Sequence, residues 1–179
     1  MAETRAKMSP SAYAASVEGE ARLLLLIDAF SAGQGTLQGR TKLAKLDFLL
    51  RYPSFFHRAL RIMNIEPIPG PHPSDNTIEQ RMVRYRYGPW DPAYFAILGR
   101  LVGRGLIETV PRVRFIGFRA TKEGRALATE LAATEIWADV AERSRLLKGA
   151  FSTHRGTFLK EFIYQHFPEV AQASWGERL

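Results

Sequence analysis

The chain has 179 residues, of which 46% are hydrophobic and 24% are charged, so its composition is that of one folded domain and excludes a disordered chain. It contains no cysteine, which excludes disulfide scaffolds, cysteine nucleophiles and metal sites built on thiolates. The longest apolar run, Leu23 to Ile27, is too short to span a bilayer, and residues 1–16 lack the apolar stretch of a signal peptide. We therefore expect a basic cytoplasmic protein with a net charge of +7.

The N-terminal part of the chain predicts a flexible tail followed by an amphipathic helix. Residues 1–15 are small and polar without periodicity, which is typical of a loose tail. Ser16 is a suitable N-cap, and Gly33 and Gly35 predict the end of the helix. Between them, apolar residues recur at helical spacing, at Leu23, Leu26, Ile27 and Phe30.

Two further helices are predicted next. The first covers residues 40–51, with an inward stripe of leucines and with Lys42 and Lys45 on another side. Ser54 can cap the following helix over residues 55–63.

A loop and a short extended segment are predicted between these helices and the next one. Four prolines and a glycine predict a loop over residues 65–76. Residues 82–87 alternate between apolar or aromatic side chains and arginines, which favours an extended segment, although a continuing helix is the alternative. Gly88 and Pro89 then predict a turn.

The pattern over residues 91–125 is the most specific in the chain. Asp91 and Pro92 predict the start of a helix that ends near Gly103. Two strands, 106–110 and 113–119, follow around a tight turn at Pro111 and Arg112, and Thr121 caps a helix to about residue 133. This order of helix, β-hairpin and capped helix resembles winged-helix domains, in which the first helix takes the recognition position and the hairpin is the wing. The expected fold class is therefore mainly α (α+β), with a winged-helix domain over residues 16–133.

The last part of the chain, residues 134–179, is predicted to be a helical extension that packs on this domain. Its helices are expected over 136–151 and 157–167, with a break at residues 154–156. Aromatic side chains are enriched in interfaces, so three residues of the last helix are candidates for a protein interface: Phe158, Phe162 and Tyr164. The alternative, that these aromatics belong to the domain's own core, stays open.

Positive charge is concentrated in two blocks of the sequence. Residues 40–61 carry six basic and one acidic side chain, and residues 81–125 carry ten basic and three acidic side chains. Arginine presents a planar set of donors that suits phosphates and carboxylates, so the partner is predicted to be nucleic acid or an acidic protein. Arg112 and Arg114 are expected to share one strand face. The candidate binding residues are Arg84, Arg86, Arg100, Arg104, Arg112, Arg114 and Arg119.

The predicted recognition helix is poorly suited to reading DNA bases. Helices that do so expose arginine, asparagine, glutamine, serine or threonine toward the major groove. Residues 93–104 contain none of the last four, and their only charged side chains are Arg100 and Arg104. A helix that is apolar almost all round is buried or lies at an interface, so we expect protein contact and no sequence-specific readout.

Signatures of catalysis are missing from the sequence. It has no phosphate-cradling glycine-rich loop and no His-Glu-x-x-His motif, and its four histidines are scattered. We therefore expect a protein that is not an enzyme, with no catalytic residues, no metal site and no cofactor.

Three segments together resemble a known family of bacterial proteins. They are RTKLAKLDFLLRYPSFFHRAL (40–60), RYGPWDPAYFAILGRLVGRGLI (86–107) and FLKEFIYQHFPE (158–169). They look like the small middle component of ABC-three-component systems, which include Lamassu-type anti-phage defence. This resemblance implies a non-catalytic winged-helix subunit that bridges an SMC-like ATPase and an effector of the same operon, with non-specific DNA contact and no membrane partner.

A second, more distant resemblance concerns the same part of the chain. The leucine- and lysine-rich helix, and the YGP motif followed by a helix, are also similar to the antitoxin-like Panacea domain. That resemblance implies a dimeric DNA-binding transcriptional regulator or antitoxin.

Overall fold

The computed structural model of the chain describes residues 10–66, 82–85, 88–174, 177 and 179, and the first long helix, α1 (Val17–Ser31), begins where the sequence predicts. Ser16 is extended, and its Oγ accepts a hydrogen bond from the Gly19 N–H at 3.0 Å, which satisfies one of the free donors at the helix start. A 3₁₀ turn at Ala32–Gln34, with Gly33 at a φ of 66°, follows the helix. Of the predicted tail, residues 1–9 lie outside the described residues.

A short strand and two helices follow with almost no connecting residues. Strand β1 (Leu37–Gln38) leads directly into α2 (Gly39–Arg51), which confirms the predicted second helix to within one residue. Helix α3 (Pro53–Ile62) starts earlier than predicted because Pro53 takes the first helical position, where its missing N–H removes no helical hydrogen bond. Ser54 therefore lies inside this helix and is not its cap.

Helix α2 lies at the centre of the molecule and is covered on every side. All residues from Lys42 to Arg51 are buried. The side of α2 that carries Lys42 and Lys45 is also buried, because α7 (Gly156–His166) and the strand that contains Pro89 pack over that side. A helix that is buried all round contacts several neighbouring elements at once, and α2 contacts α3, α7 and the sheet.

The predicted extended segment is confirmed as strand β2 (Val83–Tyr85), which pairs antiparallel with β3 (Gly88–Trp90). The predicted turn at Gly88 and Pro89 is wrong, because these residues lie in β3 opposite Tyr85 and Arg84. Proline is tolerated at such a position in a two-stranded ribbon, where its missing N–H removes little of the ladder. The predicted loop over 65–76 lies outside the described residues except for Ile65 and Glu66.

The predicted helix, hairpin and capped helix are present with shifted boundaries: α4 (Tyr94–Gly103), β4 (Ile107–Pro111), β5 (Ile116–Ala120) and α5 (Lys122–Ala132). Helix α4 starts later than predicted because the Asp91 carboxylate accepts the Ala93 N–H at 2.8 Å and caps a turn before the helix. Thr121 caps α5 as predicted, by accepting the Gly124 N–H at 3.0 Å. The hairpin turn is longer than predicted and covers residues 112–115.

The strands β1, β5 and β4 form an antiparallel sheet in that order, with Phe118 of β5 between Leu37 of β1 and Thr109 of β4. When α3 and the β2–β3 ribbon are left out, the order is α1, β1, α2, α4 and the β4–β5 hairpin, and β1 pairs with β5. This is the connectivity of a winged helix. Helix α3 and the β2–β3 ribbon are inserted before α4, which holds the recognition position. The fold is mainly helical with a small antiparallel sheet, which confirms the predicted fold class.

The C-terminal helices α6 (Glu135–Phe151), α7 and α8 (Pro168–Gln172) complete the hydrophobic core. Helix α6 packs on α1 and α5, and α7 packs on α2. One continuous cluster of buried side chains joins Leu23 and Leu46 of the N-terminal helices with Leu147 and Ile163 of the C-terminal ones. The predicted boundary between residues 133 and 134 therefore separates two segments that share one hydrophobic core.

None of the described helices is both long enough and apolar enough to cross a membrane.

Candidate functional site

A groove of about 1320 Å³ lies between α4 and the hairpin of the winged helix. Helix α4 forms one wall with Phe95 and Val102, and the turn at residues 112–115 forms the other. The first residues of α2 and α7, with Arg40 and Arg155, also line it. The hairpin with the preceding α4 and the distant starts of α2 and α7 thus meet around one concave surface, which we call the wing groove.

Apolar side chains in the wing groove are unusually exposed. Phe95, Val102 and Ile116 are 60%, 42% and 54% exposed, and Val113 at the tip of the turn is fully exposed. Single exposed apolar residues are ordinary on protein surfaces, but a contiguous group of them marks an interaction site. The wing groove therefore offers apolar surface that the described part of the chain does not cover.

Four arginines line the wing groove: Arg40, Arg112, Arg114 and Arg155. The guanidinium of Arg40 lies over the ring of Phe95, 4.9 Å from its centroid, in a cation–π contact. None of the four forms an ion pair with any residue in the described ranges. No acidic side chain is found among the described residues that line the groove, so its positive charge is not compensated locally.

Two helix N-termini add to this positive charge. Helices α2 and α7 both begin at the wing groove, and neither has a side-chain hydrogen bond at its N-cap. The two helix starts lie close together, since a Cβ on Gly156 would come within 3.1 Å of the Lys42 backbone nitrogen. Free N–H groups at a helix start carry partial positive charge, so they reinforce the field of Arg40 and Arg155.

Three of the predicted binding arginines are engaged by side chains of the chain itself. Arg100 and Arg104 both pair with the buried carboxylate of Glu20 on α1, at 2.8 and 3.1 Å. Arg119 pairs with Glu108 at 2.9 Å and donates to the Gln34 side chain at 2.9 Å. These contacts tie α4 to α1 and hold the hairpin, so the three guanidinium groups have structural partners.

The structure changes the predicted arrangement of Arg112 and Arg114. They were expected on one face of a strand, but both lie in the turn before β5 begins, where the Arg112 N–H donates to the Phe115 carbonyl at 3.0 Å. Both side chains are exposed. Of the two remaining candidates, Arg84 lies in β2 and Arg86 lies outside the described residues.

The predicted aromatic interface is corrected at Phe162. This side chain is 5% exposed and packs against Phe151 and Phe167, with ring centroids at 5.4 and 6.0 Å, so it belongs to the core. Phe158 is half-buried and stacks on His154 at 4.1 Å, and Tyr164 is also half-buried. The alternative that the aromatic side chains of α7 are core residues therefore holds for Phe162.

A buried network of charged groups fixes α4 against α1 and α2. Asp47 is fully buried and accepts hydrogen bonds from Arg22 Nε at 2.7 Å and from the Tyr94 hydroxyl at 2.7 Å. Arg51 lies 3.7 Å from the same carboxylate and donates to Asp91 at 2.6 Å. Because each of these charges has a partner of opposite sign, the network can stay ionised inside the protein.

The pKa values in this network follow from burial and pairing. Burial acts to raise the pKa of Asp47, but the guanidinium groups of Arg22 and Arg51 outweigh it, so the pKa lies below its usual value. Burial and the neighbouring Asp47 carboxylate raise the pKa of Tyr94 well above its usual value. The Tyr94 hydroxyl therefore remains a hydrogen-bond donor to the Asp47 carboxylate, and this bond ties α4 to α2.

Two buried lysines of α2 lie on the side that α7 and β3 cover. Lys42 Nζ donates to the Ser152 carbonyl at 3.0 Å, and Lys45 Nζ donates to the Pro89 carbonyl at 3.3 Å. Burial lowers the pKa of Lys42 to about 8. Burial, with a smaller effect from the charge of Lys160, lowers the pKa of Lys45 to about 7.

Sequence reasoning missed Arg40, Arg155 and Phe95 as members of the site. Arg40 and Phe95 belong to helices that were predicted correctly, but only the tertiary fold brings them within 4.9 Å. The sequence carries only a weak signal for these residues. Phe95 is an apolar residue in the first turn of α4, and Arg155 lies directly before the start of α7. Among the described residues, no group of three or more histidine or acidic side chains is placed to hold a metal ion.

Comparison with protein-family models, with curated proteins and with solved structures finds no match to this chain.

Proposed function

We propose that this protein is a non-catalytic adaptor subunit whose winged helix binds a protein partner. The observation that carries the proposal is the outward face of α4. Phe95, Gly99, Val102 and Gly103 are exposed there, and Arg100 is engaged by Glu20. Base readout needs directed polar donors and acceptors, whereas an exposed apolar face next to arginines is typical of protein interfaces.

The partners in this proposal follow from the family resemblance. We expect the chain to bridge an SMC-like ATPase and an effector encoded in the same operon, in a cytoplasmic anti-phage or anti-plasmid defence complex. The uncompensated arginines of the wing groove support contact with an acidic surface. The proposal assigns no catalytic step, cofactor or metal to this subunit.

Affinity purification of the native operon tests the adaptor role. The tagged chain is expected to co-purify stably with the ATPase and effector gene products, which mass spectrometry and size-exclusion chromatography detect. A tagged carrier of similar charge and size serves as the control. If the chain elutes as a lone monomer in the presence of every neighbouring gene product, the adaptor role is wrong.

A second candidate function is a dimeric DNA-binding regulator or antitoxin. The four arginines of the wing groove favour it, because arginines on a wing suit contacts with the DNA backbone. A regulator would bind its own promoter about 10³-fold or more tightly than a scrambled duplex. The adaptor role predicts nearly equal, strongly salt-dependent binding to both duplexes, which fluorescence anisotropy at physiological salt measures.

A further inference from the structure

We propose that the wing groove binds an acidic segment of the partner protein that carries large apolar side chains, an inference that rests on the adaptor function. The proposal commits to a polypeptide occupant and specifies its two chemical properties. Carboxylates face the arginines of the groove, and apolar side chains contact the exposed ones. Each property follows from a separate feature of the wing groove.

The apolar requirement follows from what the groove leaves exposed. Phe95, Val113 and Ile116 are all more than half exposed around one concave surface. Covering them with apolar side chains removes that surface from water, which is the main favourable term in most protein association. The groove volume of about 1320 Å³ exceeds the roughly 300–1,000 Å³ of pockets for small ligands, so it suits a segment of chain.

The acidic requirement follows from charge complementarity. Arg40, Arg112, Arg114 and Arg155 line the wing groove, and no described lining residue is acidic. The guanidinium of Arg40 is already oriented by its contact with the Phe95 ring at 4.9 Å. A carboxylate that approaches beside Phe95 meets planar donors that can bind it in a bidentate manner, and the starts of α2 and α7 strengthen the attraction.

A nucleic acid fits the same groove less well. Phosphates would satisfy the arginines, but they would leave Phe95, Val102 and Val113 facing a polar, hydrated backbone. An acidic segment with apolar side chains satisfies both parts of the surface. The contribution of Phe95 therefore distinguishes the two occupants, because a phosphate gains from Phe95 only through the orientation of Arg40, whereas an apolar segment also covers its ring.

Fluorescence anisotropy with defined probes tests the proposal on the full chain. The main probe is a short synthetic peptide in which Asp and Glu alternate with Leu and Phe. A second peptide has Ser in place of every Leu and Phe, and the third probe is a short DNA duplex. The apolar acidic peptide is expected to bind at least about tenfold more tightly than the serine version.

Matched variants assign this binding to the wing groove. The double variant R112E/R114E is compared with R61E/R145E, which makes the same charge change at exposed positions on α3 and α6. F95A is compared with I136A, which removes another exposed apolar side chain, on α6. Both groove variants are expected to weaken peptide binding by about tenfold or more, and both controls by less than about twofold. Thermal unfolding is followed for every variant, and the groove variants are expected to keep the wild-type transition.

The outcomes separate this inference from the adaptor role. If the two peptides bind equally, if neither binds, or if F95A leaves binding unchanged, the wing groove is not a site for an apolar acidic segment. Equal loss of DNA and peptide binding in R112E/R114E, with no effect of F95A, would identify a general polyanion site. Co-purification with the operon partners that survives in both groove variants leaves the adaptor role intact but places the docking surface elsewhere. Tight peptide binding without co-purification overturns the adaptor role alone.

Discussion

The carboxylate of Asp47 holds two buried groups by hydrogen bonds, Arg22 and Tyr94, and lies 3.7 Å from a third, Arg51. These residues come from α1, α2 and α4, so one side chain joins the recognition-position helix to the two helices beneath it. A buried ion pair adds little net stability when intact, but removal of one partner leaves a charge without compensation.

D47N is therefore expected to lower the free energy of unfolding by about 3–5 kcal/mol, because Arg22 stays buried without a full counter-charge while Arg51 keeps only Asp91. Urea denaturation followed by circular dichroism measures this loss. E142Q provides the control, since both side chains of the Glu142–Arg145 pair are exposed and such a pair is worth about 1 kcal/mol or less. Similar losses in the two variants would contradict the structural role of Asp47.

Lys45 makes stability depend on pH. Its pKa is lowered to about 7 in the folded protein by burial, from an ordinary value of 10.5, so the unfolded chain binds more protons between these pH values. Stability from this residue must therefore rise as pH increases from about 7 toward 10, and it is lowest and constant below that range.

K45M is expected to raise the free energy of unfolding at pH 7, because methionine carries no charge to bury, and to reduce its rise between pH 7 and pH 10 to the part that Lys42 contributes. Chemical denaturation at several pH values measures both effects. K122M changes an exposed lysine at the α5 start and should leave the pH profile as it is in the wild type. A wild-type profile that is flat between pH 7 and 10 would rule out a charge-burial cost at Lys45.

Single-residue roles were the least predictable feature of this sequence. The sequence predicted three arginines as binding residues, Arg100, Arg104 and Arg119. Their side chains instead form ion pairs with Glu20 and Glu108, which lie on other elements. Only tertiary packing decides which arginines are engaged. Of the predicted binding residues, Arg112 and Arg114 line the wing groove, and their binding role stays a prediction.

At the scale of elements, α5 and the start of the hairpin approach each other closely at Gly124. A Cβ added to Gly124 would come within 1.9 Å of the Leu106 carbonyl oxygen, whose strand segment crosses the first turn of the helix. The Thr121 N–H also donates to Leu106 O at 3.1 Å and the Thr121 hydroxyl donates to Gly105 O at 2.6 Å, so these contacts fix the hairpin relative to α5.

G124A is accordingly expected to destabilise the protein by several kcal/mol, because backbone on both sides must shift to relieve the clash. G149A is the matched control in the interior of α6, where a Cβ would meet no atom within 4 Å. There the alanine should stabilise the protein by roughly 0.5–1 kcal/mol through its helix propensity. Thermal and urea unfolding of both variants check the opposite signs, and a tolerated G124A would show that the crossing is looser than described.

Elements with local start signals were predicted well. Helices α1 and α5 begin where Ser16 and Thr121 cap them, and capping depends only on the next three residues. Strand β3 and the long hairpin turn were missed, because strand pairing depends on a partner that local residues do not specify. Gly88 and Pro89 form a typical turn dipeptide by composition, and only their pairing with β2 places them in a strand.

At the scale of the whole molecule, the C-terminal helices belong to the same core as the winged helix. Leu147, Phe151 and Leu159 are completely buried in one cluster with residues of α1 and α2. The wing groove likewise depends on tertiary packing, since its walls come from four segments of the chain. The sequence predicts that residues 134–179 pack on the domain, but it gives neither the shared core nor the walls of the groove, because periodicity within a helix does not identify the neighbours of that helix.

The full chain is therefore expected to unfold in one cooperative transition, with coincident changes in circular dichroism and tryptophan fluorescence. A shortened chain that ends at residue 133 should fail to fold, because it exposes the faces of α1 and α2 that α6 and α7 cover. Two separate calorimetric transitions, or a folded shortened chain, would instead support residues 16–133 as an independent domain.

The burial of α2 has a consequence for how the sequence tolerates change. From Lys42 to Arg51, ten consecutive side chains are enclosed. A saturation-mutagenesis profile of this stretch should lack the permissive position that usually recurs every three or four residues along a surface helix. Over evolution, we then expect substitutions to accumulate mainly at exposed positions, while residues 42–51 of α2 change little.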